Sequence, residues 1–188
     1  MKKNKVVLIL FAILAIFQLA QPLYMAWRWE DILQTGVSYR WKTAPVDPYD
    51  ALRGRYIDLW FKENKGPIIN GENIKPGQTV YALLGTDTDG FAYIAGISAK
   101  KPAGGDYVEA RAGYGMDKGD NMNIILPFKR FYMREDLAPQ AERAYQRSAG
   151  KDGAVSVRIK NGMGVIEQLY IGDKTIEEYL RSEGNGTN

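Results

Sequence analysis

The hydrophobic pattern changes period twice along the chain. From Val6 to Trp27 there are 22 consecutive residues without a charge. As a helix rising about 1.5 Å per residue, such a run crosses the roughly 30 Å of hydrocarbon in a bilayer. Beyond Gly36 the period drops to two. GVSYRWKTA sets Val37, Tyr39 and Trp41 against Ser38, Arg40 and Lys42, and RGRYIDLWF sets Tyr56, Asp58 and Trp60 against Ile57, Leu59 and Phe61. Alternate rings at Tyr39/Trp41 and Tyr56/Trp60 suit a half-buried sheet face. QTVYALLGT and FAYIAGISA read as strands joined by a turn ending Asp89-Gly90, and YVEARAGY and NIILPF continue the series. AVSVRIK and GVIEQLYI flank Asn161-Gly162, a pair that favours a two-residue hairpin turn. Gly66-Pro67, Pro76-Gly77 and Gly104-Gly105 read as loop punctuation.

Two later stretches take helical spacing. LAPQAERAYQRSA gathers Leu137, Ala141, Ala144, Tyr145 and Ser148 near one face, with Pro139 tolerable in the first turn. TIEEYLRSE opens with Thr175 and Glu178, the spacing of a capping box. The predicted fold class is mainly β (α+β): an N-terminal transmembrane helix, then a small antiparallel β sandwich or open barrel with two short helices. The organisation that follows is a membrane anchor and juxtamembrane helix over 1–34, an extracytoplasmic β-rich domain over 35–183, and a disordered tail over 184–188.

The flanks of the apolar run set its orientation. Lysines precede it and Glu30 and Asp31 follow it, which predicts an inside N-terminus and an outside domain. Tyr24, Trp27 and Trp29 suit the outer interface, and the helix is expected to continue through WRWEDILQ and stop at Gly36. A cleaved signal peptide is the competing reading. It needs small residues at alternate positions before the cut, and Ala20 follows Gln18 while Ala26 follows Tyr24. The expectation is an uncleaved, single-pass anchor in the cytoplasmic (inner) membrane. It has the lipid bilayer as partner through residues 6–27 and a periplasmic domain.

Composition then narrows the chemistry. The chain has no histidine and no cysteine, so disulfides, thiolate zinc sites and the usual neutral-pH base are excluded. Any metal would need oxygen ligands, and no cofactor is expected. Of the 25 Lys and Arg, three are Lys2, Lys3 and Lys5; the remaining 22 balance the 22 Asp and Glu. That leaves no basic field beyond the anchor, so no nucleic-acid partner is expected.

One stretch carries more identity than chemistry. DPYDALRGRYIDLWF contains Gly54-Arg55-Tyr56-Ile57-Asp58-Leu59-Trp60-Phe61, led by Asp47-Pro48 and Leu52-Arg53-Gly54. A second block reads Arg130-Phe131-Tyr132-Met133-Arg134-Glu135, followed by Glu142 on the first predicted short helix. These residues resemble a bacterial membrane-anchored family named for its Gly-Asp-Tyr-x-x-Leu-x-Tyr motif. Two positions depart: Arg55 replaces the acidic residue, and Phe61 replaces the last tyrosine. The resemblance covers nearly the whole chain. It implies no assigned reaction and a likeness to accessory proteins of multi-span membrane proteins. The residues expected to define the protein are Arg53, Gly54, Tyr56, Leu59, Arg130, Tyr132, Glu135 and Glu142. On physical grounds, Arg53 is a planar donor fork suited to Glu135 or Glu142, and Tyr56 is expected to join them.

Other signals are weaker. Ser98-Ala99-Lys100-Lys101 matches a Ser-x-x-Lys nucleophile pattern without the partner motifs that an enzyme of that type needs. A signal-peptidase-like Ser/Lys hydrolase wants a Ser-Met nucleophile near the membrane, and Ser38 precedes Tyr39. Asp87-Thr88-Asp89-Gly90 hints at calcium but reads more simply as a turn, and Asp117 and Asp120 read as loop. The expected function is a non-enzymatic accessory or interaction module for an integral membrane or envelope partner. A glycan- or small-ligand-binding module is the alternative, and a membrane-anchored hydrolase the distant third.

Overall fold

The structure is a computed structural model describing residues 2–44, 56–116 and 121–185. Helix α1 (Lys2–Thr35) carries the apolar run, passes through Pro22 and is long and apolar enough to cross a membrane. It stops where glycine was expected to stop it: the Gly36 N–H donates to the Ile32 carbonyl at 2.8 Å.

Eleven strands and two short helices follow among the described residues. They are β1 (Val37–Lys42), β2 (Tyr56–Asp58), β3 (Lys65–Pro67), β4 (Thr79–Thr86), β5 (Ala92–Ser98), β6 (Tyr107–Met116), β7 (Asn121–Ile125) and β8 (Arg130–Tyr132). Then come α2 (Ala138–Ser148), β9 (Gly153–Lys160), β10 (Met163–Ile171), β11 (Lys174–Thr175) and α3 (Ile176–Asn185). All described strand pairings within the sheets are antiparallel. The class is mixed α+β and mainly β.

Three sheets form. Five strands run in the order β3-β7-β6-β4-β5, and Ile68, just past β3, bridges Ile97 of β5, so the two edges meet and the sheet curls toward a small barrel. A four-stranded sheet, β1-β9-β10-β11, lies against it through bridges at Arg40–Phe91 and Val108–Gly162. The third sheet is the β2–β8 ribbon. Both expected hairpins are present. Gly90 takes φ 81° after β4, and Asn161 and Gly162 take φ 53° and 81°, the double left-handed geometry that the Asn-Gly pair supplies cheaply.

The core fills the space between these layers. Trp41 is fully buried, with ring centroids 5.3 Å from Phe128 and 6.2 Å from Phe61, and its indole N–H donates to the Glu63 carbonyl at 3.3 Å. Ala138, Ala141, Ala144, Tyr145 and Ser148 form the buried face of α2. Thr175 and Glu178 make the expected capping box before α3, each side chain accepting the other's backbone N–H at 3.3 and 2.9 Å.

Three local expectations need correction. Gly66-Pro67 is not loop but strand β3, paired with β7. Val37 is 48% exposed although Tyr39 and Trp41 on its face are buried, because it sits at the domain edge beside the helix end. In the motif strand Ile57, Leu59 and Phe61 point inward, whereas Trp60 is 61% exposed. Of the expected tail, α3 takes in residues up to Asn185, and 186–188 lie outside the described residues.

Candidate functional site

The two sequence blocks singled out above are hydrogen-bonded neighbours. Strands β2 and β8 pair in register Tyr56–Tyr132, Ile57–Phe131 and Asp58–Arg130. The Leu59 N–H extends the ladder to the Lys129 carbonyl at 2.7 Å. Because side chains alternate across a strand, one face of this ribbon sends Ile57, Leu59 and Phe131 into the core. The other face carries Tyr56, Asp58, Arg130 and Tyr132, with Trp60 just beyond.

That outer face is ordered by its own contacts. The Tyr56 and Tyr132 rings lie 5.8 Å apart at 57°. The Arg130 guanidinium sits 4.6 Å over the Tyr56 ring, and its Nε stands 3.6 Å from Asp58. Tyr132 is 64% exposed. A cation–π contact and an ion pair at such exposure contribute little stability, on the order of 0.5–1 kcal/mol each, so they fix geometry more than they hold the fold.

The remaining expected site residues fall in different places. Leu59 is core. Glu135 is exposed and Glu142 half-buried, and each is engaged in a polar or electrostatic contact. Arg53, Gly54, Arg55 and the Asp47-Pro48 lead-in lie outside the described residues, as do Asp117 and Asp120. Tyr56 meets Tyr132 and Arg130 on the ribbon's outer face.

Helix α2 supports the ribbon from within. Tyr145 is 1% exposed, and burial pushes its phenol up. The Thr43 hydroxyl and the Trp60 backbone pull it partly back, although its hydroxyl has no well-aligned partner. Thr43 itself bridges Phe61 and donates its hydroxyl to the Gly153 carbonyl at 2.9 Å. The ribbon is thereby tied to the far end of β1.

Several interactions had no sequence signal because they join distant segments. Lys160 Nζ donates to both Asp31 oxygens at 2.7 and 2.9 Å and to the Thr35 hydroxyl at 2.7 Å, and the lysine holds the Asp31 carboxyl below its usual range. The Tyr39 hydroxyl donates to Asp106 at 2.7 Å, and burial, then Asp106, raise that phenol to about 12. Arg158 meets Glu167 through two bonds of 2.9 Å. That pair was within reach of the sequence, since the Asn161-Gly162 turn places those positions near each other across a hairpin. In the Ser-x-x-Lys segment, the Ser98 hydroxyl faces Glu72 at 3.4 Å and accepts the Lys100 N–H, while the Lys101 amine lies 5.9 Å over the Tyr107 ring. Asp87 accepts the backbone N–H groups of Asp89 and Phe91 as a turn residue.

Helix α1, the paired motif blocks and the final hairpin thus form one continuous arrangement. The sequence model of the GDYXXLXY protein family matches residues 18–169, from the second half of α1 through both motif blocks and most of the final hairpin. The chain belongs to the GDYXXLXY family. No curated protein and no solved structure matches it. Within this GDYXXLXY protein the motif's tyrosine, Tyr56, is on the outer face and its leucine, Leu59, is in the core. Phe61, at the motif's final position, has its ring centroid 5.6 Å from Phe128 in an edge-on contact. The apolar ring at that position is buried, 8% exposed, between Trp41 and Phe128.

Proposed function

We propose that this protein is a non-enzymatic accessory module. In this reading it is anchored once in the cytoplasmic membrane with its N-terminus inside, and its β domain holds an integral membrane partner on the outside. The observation that carries the reading is the outer face of the β2–β8 ribbon: Trp60 and Tyr132, 61% and 64% exposed, beside the Arg130–Asp58 pair, on strands whose inner faces are locked into the core. Exposed aromatics with an arginine are the composition of interface hot spots. The glycan alternative wants coplanar rings, and Tyr56 and Tyr132 are inclined at 57°. The hydrolase alternative wants an amine on Ser98, and Lys101 points to Tyr107 instead.

The test is purification of the tagged full-length protein in mild detergent, beside a Trp60→Ser/Tyr132→Ser variant and the anchor fused to an unrelated domain. One multi-span membrane protein is expected at near-stoichiometric yield with the wild type, and lost from both others, with the variant's thermal unfolding unchanged. Retention by the anchor fusion, or no membrane protein with the wild type, overturns the reading.

A further inference from the structure

The geometry points to a lipid-contacting foot: we propose that the β9–β10 turn, through Asn161 and Met163, lies in the phospholipid headgroup layer beside the emerging helix. The inference rests on the reading of residues 6–27 as the membrane span.

Helix α1 is not a flexible tether. It is unbroken from Lys2 to Thr35, and its last turns are bolted to the domain. Ile32 is buried to 3% exposure. Lys160 clamps Asp31 and Thr35, and Arg158 donates to the Gly36 carbonyl at 3.3 Å. Gly36 itself packs so tightly that a Cβ there would stand 2.5 Å from the Ile32 carbonyl and 3.1 Å from that of Ile159. The helix direction therefore fixes the direction of β1 and of everything paired with it.

Register then places the hairpin tip. β1 leaves the helix at Val37, and β9 runs antiparallel with Val37 opposite Ile159. The end of β9 accordingly returns toward the helix, and the Asn161–Gly162 turn projects past Val37 toward the span. Lys160 reaches Asp31, one helical turn beyond Trp27, or about 6 Å along the axis. The headgroup layer is roughly 5–7 Å deep on each side of the hydrocarbon. A turn held at the level of Asp31 stands inside that layer or on its surface.

The neighbours at that level have interfacial chemistry. Tyr107 packs against Gly162, where a Cβ would meet its ring at 2.6 Å, and the Lys101 amine lies over that ring. An aromatic ring and a lysine beside a partly exposed Met163 suit a phospholipid surface. Continuity with the span is what commits this face to lipid in place of a soluble protein.

The absence of native cysteine makes the test clean. Met163→Cys, Asp173→Cys and Ile13→Cys each carry one environment-sensitive fluorophore. The purified full-length protein is placed in phosphatidylcholine/phosphatidylglycerol vesicles at low protein density. Met163 opens β10 and Asp173 lies in the turn just past its other end, Ile171, which stands about 26 Å from Met163 along the strand. The expected result is several-fold stronger quenching at 163 than at 173 by headgroup-nitroxide lipid, protection of 163 from iodide, and acyl-chain-nitroxide quenching at 13. Equal behaviour of 163 and 173, with 13 still in hydrocarbon, overturns the foot alone. Protection of 163 that appears only at high protein density overturns it in favour of a second copy of the chain. Failure of acyl-chain quenching at 13 overturns the span, and the foot with it.

Discussion

At the residue scale, two tryptophans nearly twenty positions apart carry opposite weights. Trp41 is fully enclosed by Phe61, Phe128 and Tyr39, so Trp41→Ala should cost about 3–5 kcal/mol in urea unfolding. Trp60→Ala removes a ring that is 61% exposed and should stay within about 0.5 kcal/mol. Similar costs for the two would mean that Trp60 is enclosed much as Trp41 is, and that it does not belong to an outer face. The sequence could reveal the alternation, because a strand's period is visible in a single chain. It could not reveal which face of Tyr56-to-Phe61 is inside, because both carry aromatic rings and the choice is made by Phe128 and Phe131, arriving from far along the chain. Tyr39 adds a pH effect. Its phenol is raised from 10.0 to about 12, so the stability it contributes is complete below pH 10 and lost as pH rises toward 12. The gap in urea midpoint between wild type and Tyr39→Phe should narrow over that window. A gap that is flat with pH would mean the phenol is unperturbed.

At the scale of elements, the hairpins were legible because their turns are local. Asn161-Gly162 supplies two left-handed residues in a row, and no distant contact is needed to predict the pairing that follows. The barrel seam was not legible for the opposite reason. Gly66-Pro67 has the composition of a loop, yet β3 must run there because it closes the curled sheet against β5. The reason for glycine at 66 is spatial: a Cβ would lie 2.6 Å from Ile94 Cγ2 and 2.9 Å from the Ile94 carbonyl. Backbone cannot yield as a flexible side chain does, so Gly66→Ala should cost about 1–3 kcal/mol. Gly104→Ala, where nothing lies within 4 Å, should be nearly neutral. Comparing the two by thermal unfolding separates seam strain from the general effect of losing a glycine, and equal melting temperatures would mean the seam is loose. The motif ribbon combines both kinds of information. The sequence marked its two halves as belonging together, while their antiparallel register and the Arg130–Tyr56 contact required the fold.

At the scale of the molecule, the joint between helix and domain decides how the motif ribbon is presented. β1 spans about 17 Å between the helix end and Lys42, and the Thr43–Phe61 bridge ties the ribbon to that far end. A rigid joint therefore holds the ribbon at a set distance from the end of α1, where a flexible linker would let it wander. The joint was half legible: Gly36 as the stop was read correctly, but the burial of Ile32 against the domain left no mark in the pattern of the helix itself. The last turns of α1 should accordingly stabilise the domain even without a membrane. A soluble chain beginning at Trp27 keeps Asp31, Ile32 and Thr35, and one beginning at Gly36 loses all three. Burying an isoleucine contributes about 1.5–3 kcal/mol, offset in part by ordering two short helical turns that would not form alone. The exposed Asp31–Lys160 pair adds little to this. The longer chain should thus be about 1–2 kcal/mol more stable in urea, and Ile32→Ala within it should remove most of the difference. If the two chains unfold at the same urea concentration, the helix end is not part of the domain, and both the set distance of the ribbon from α1 and the placement of the hairpin turn lose their basis.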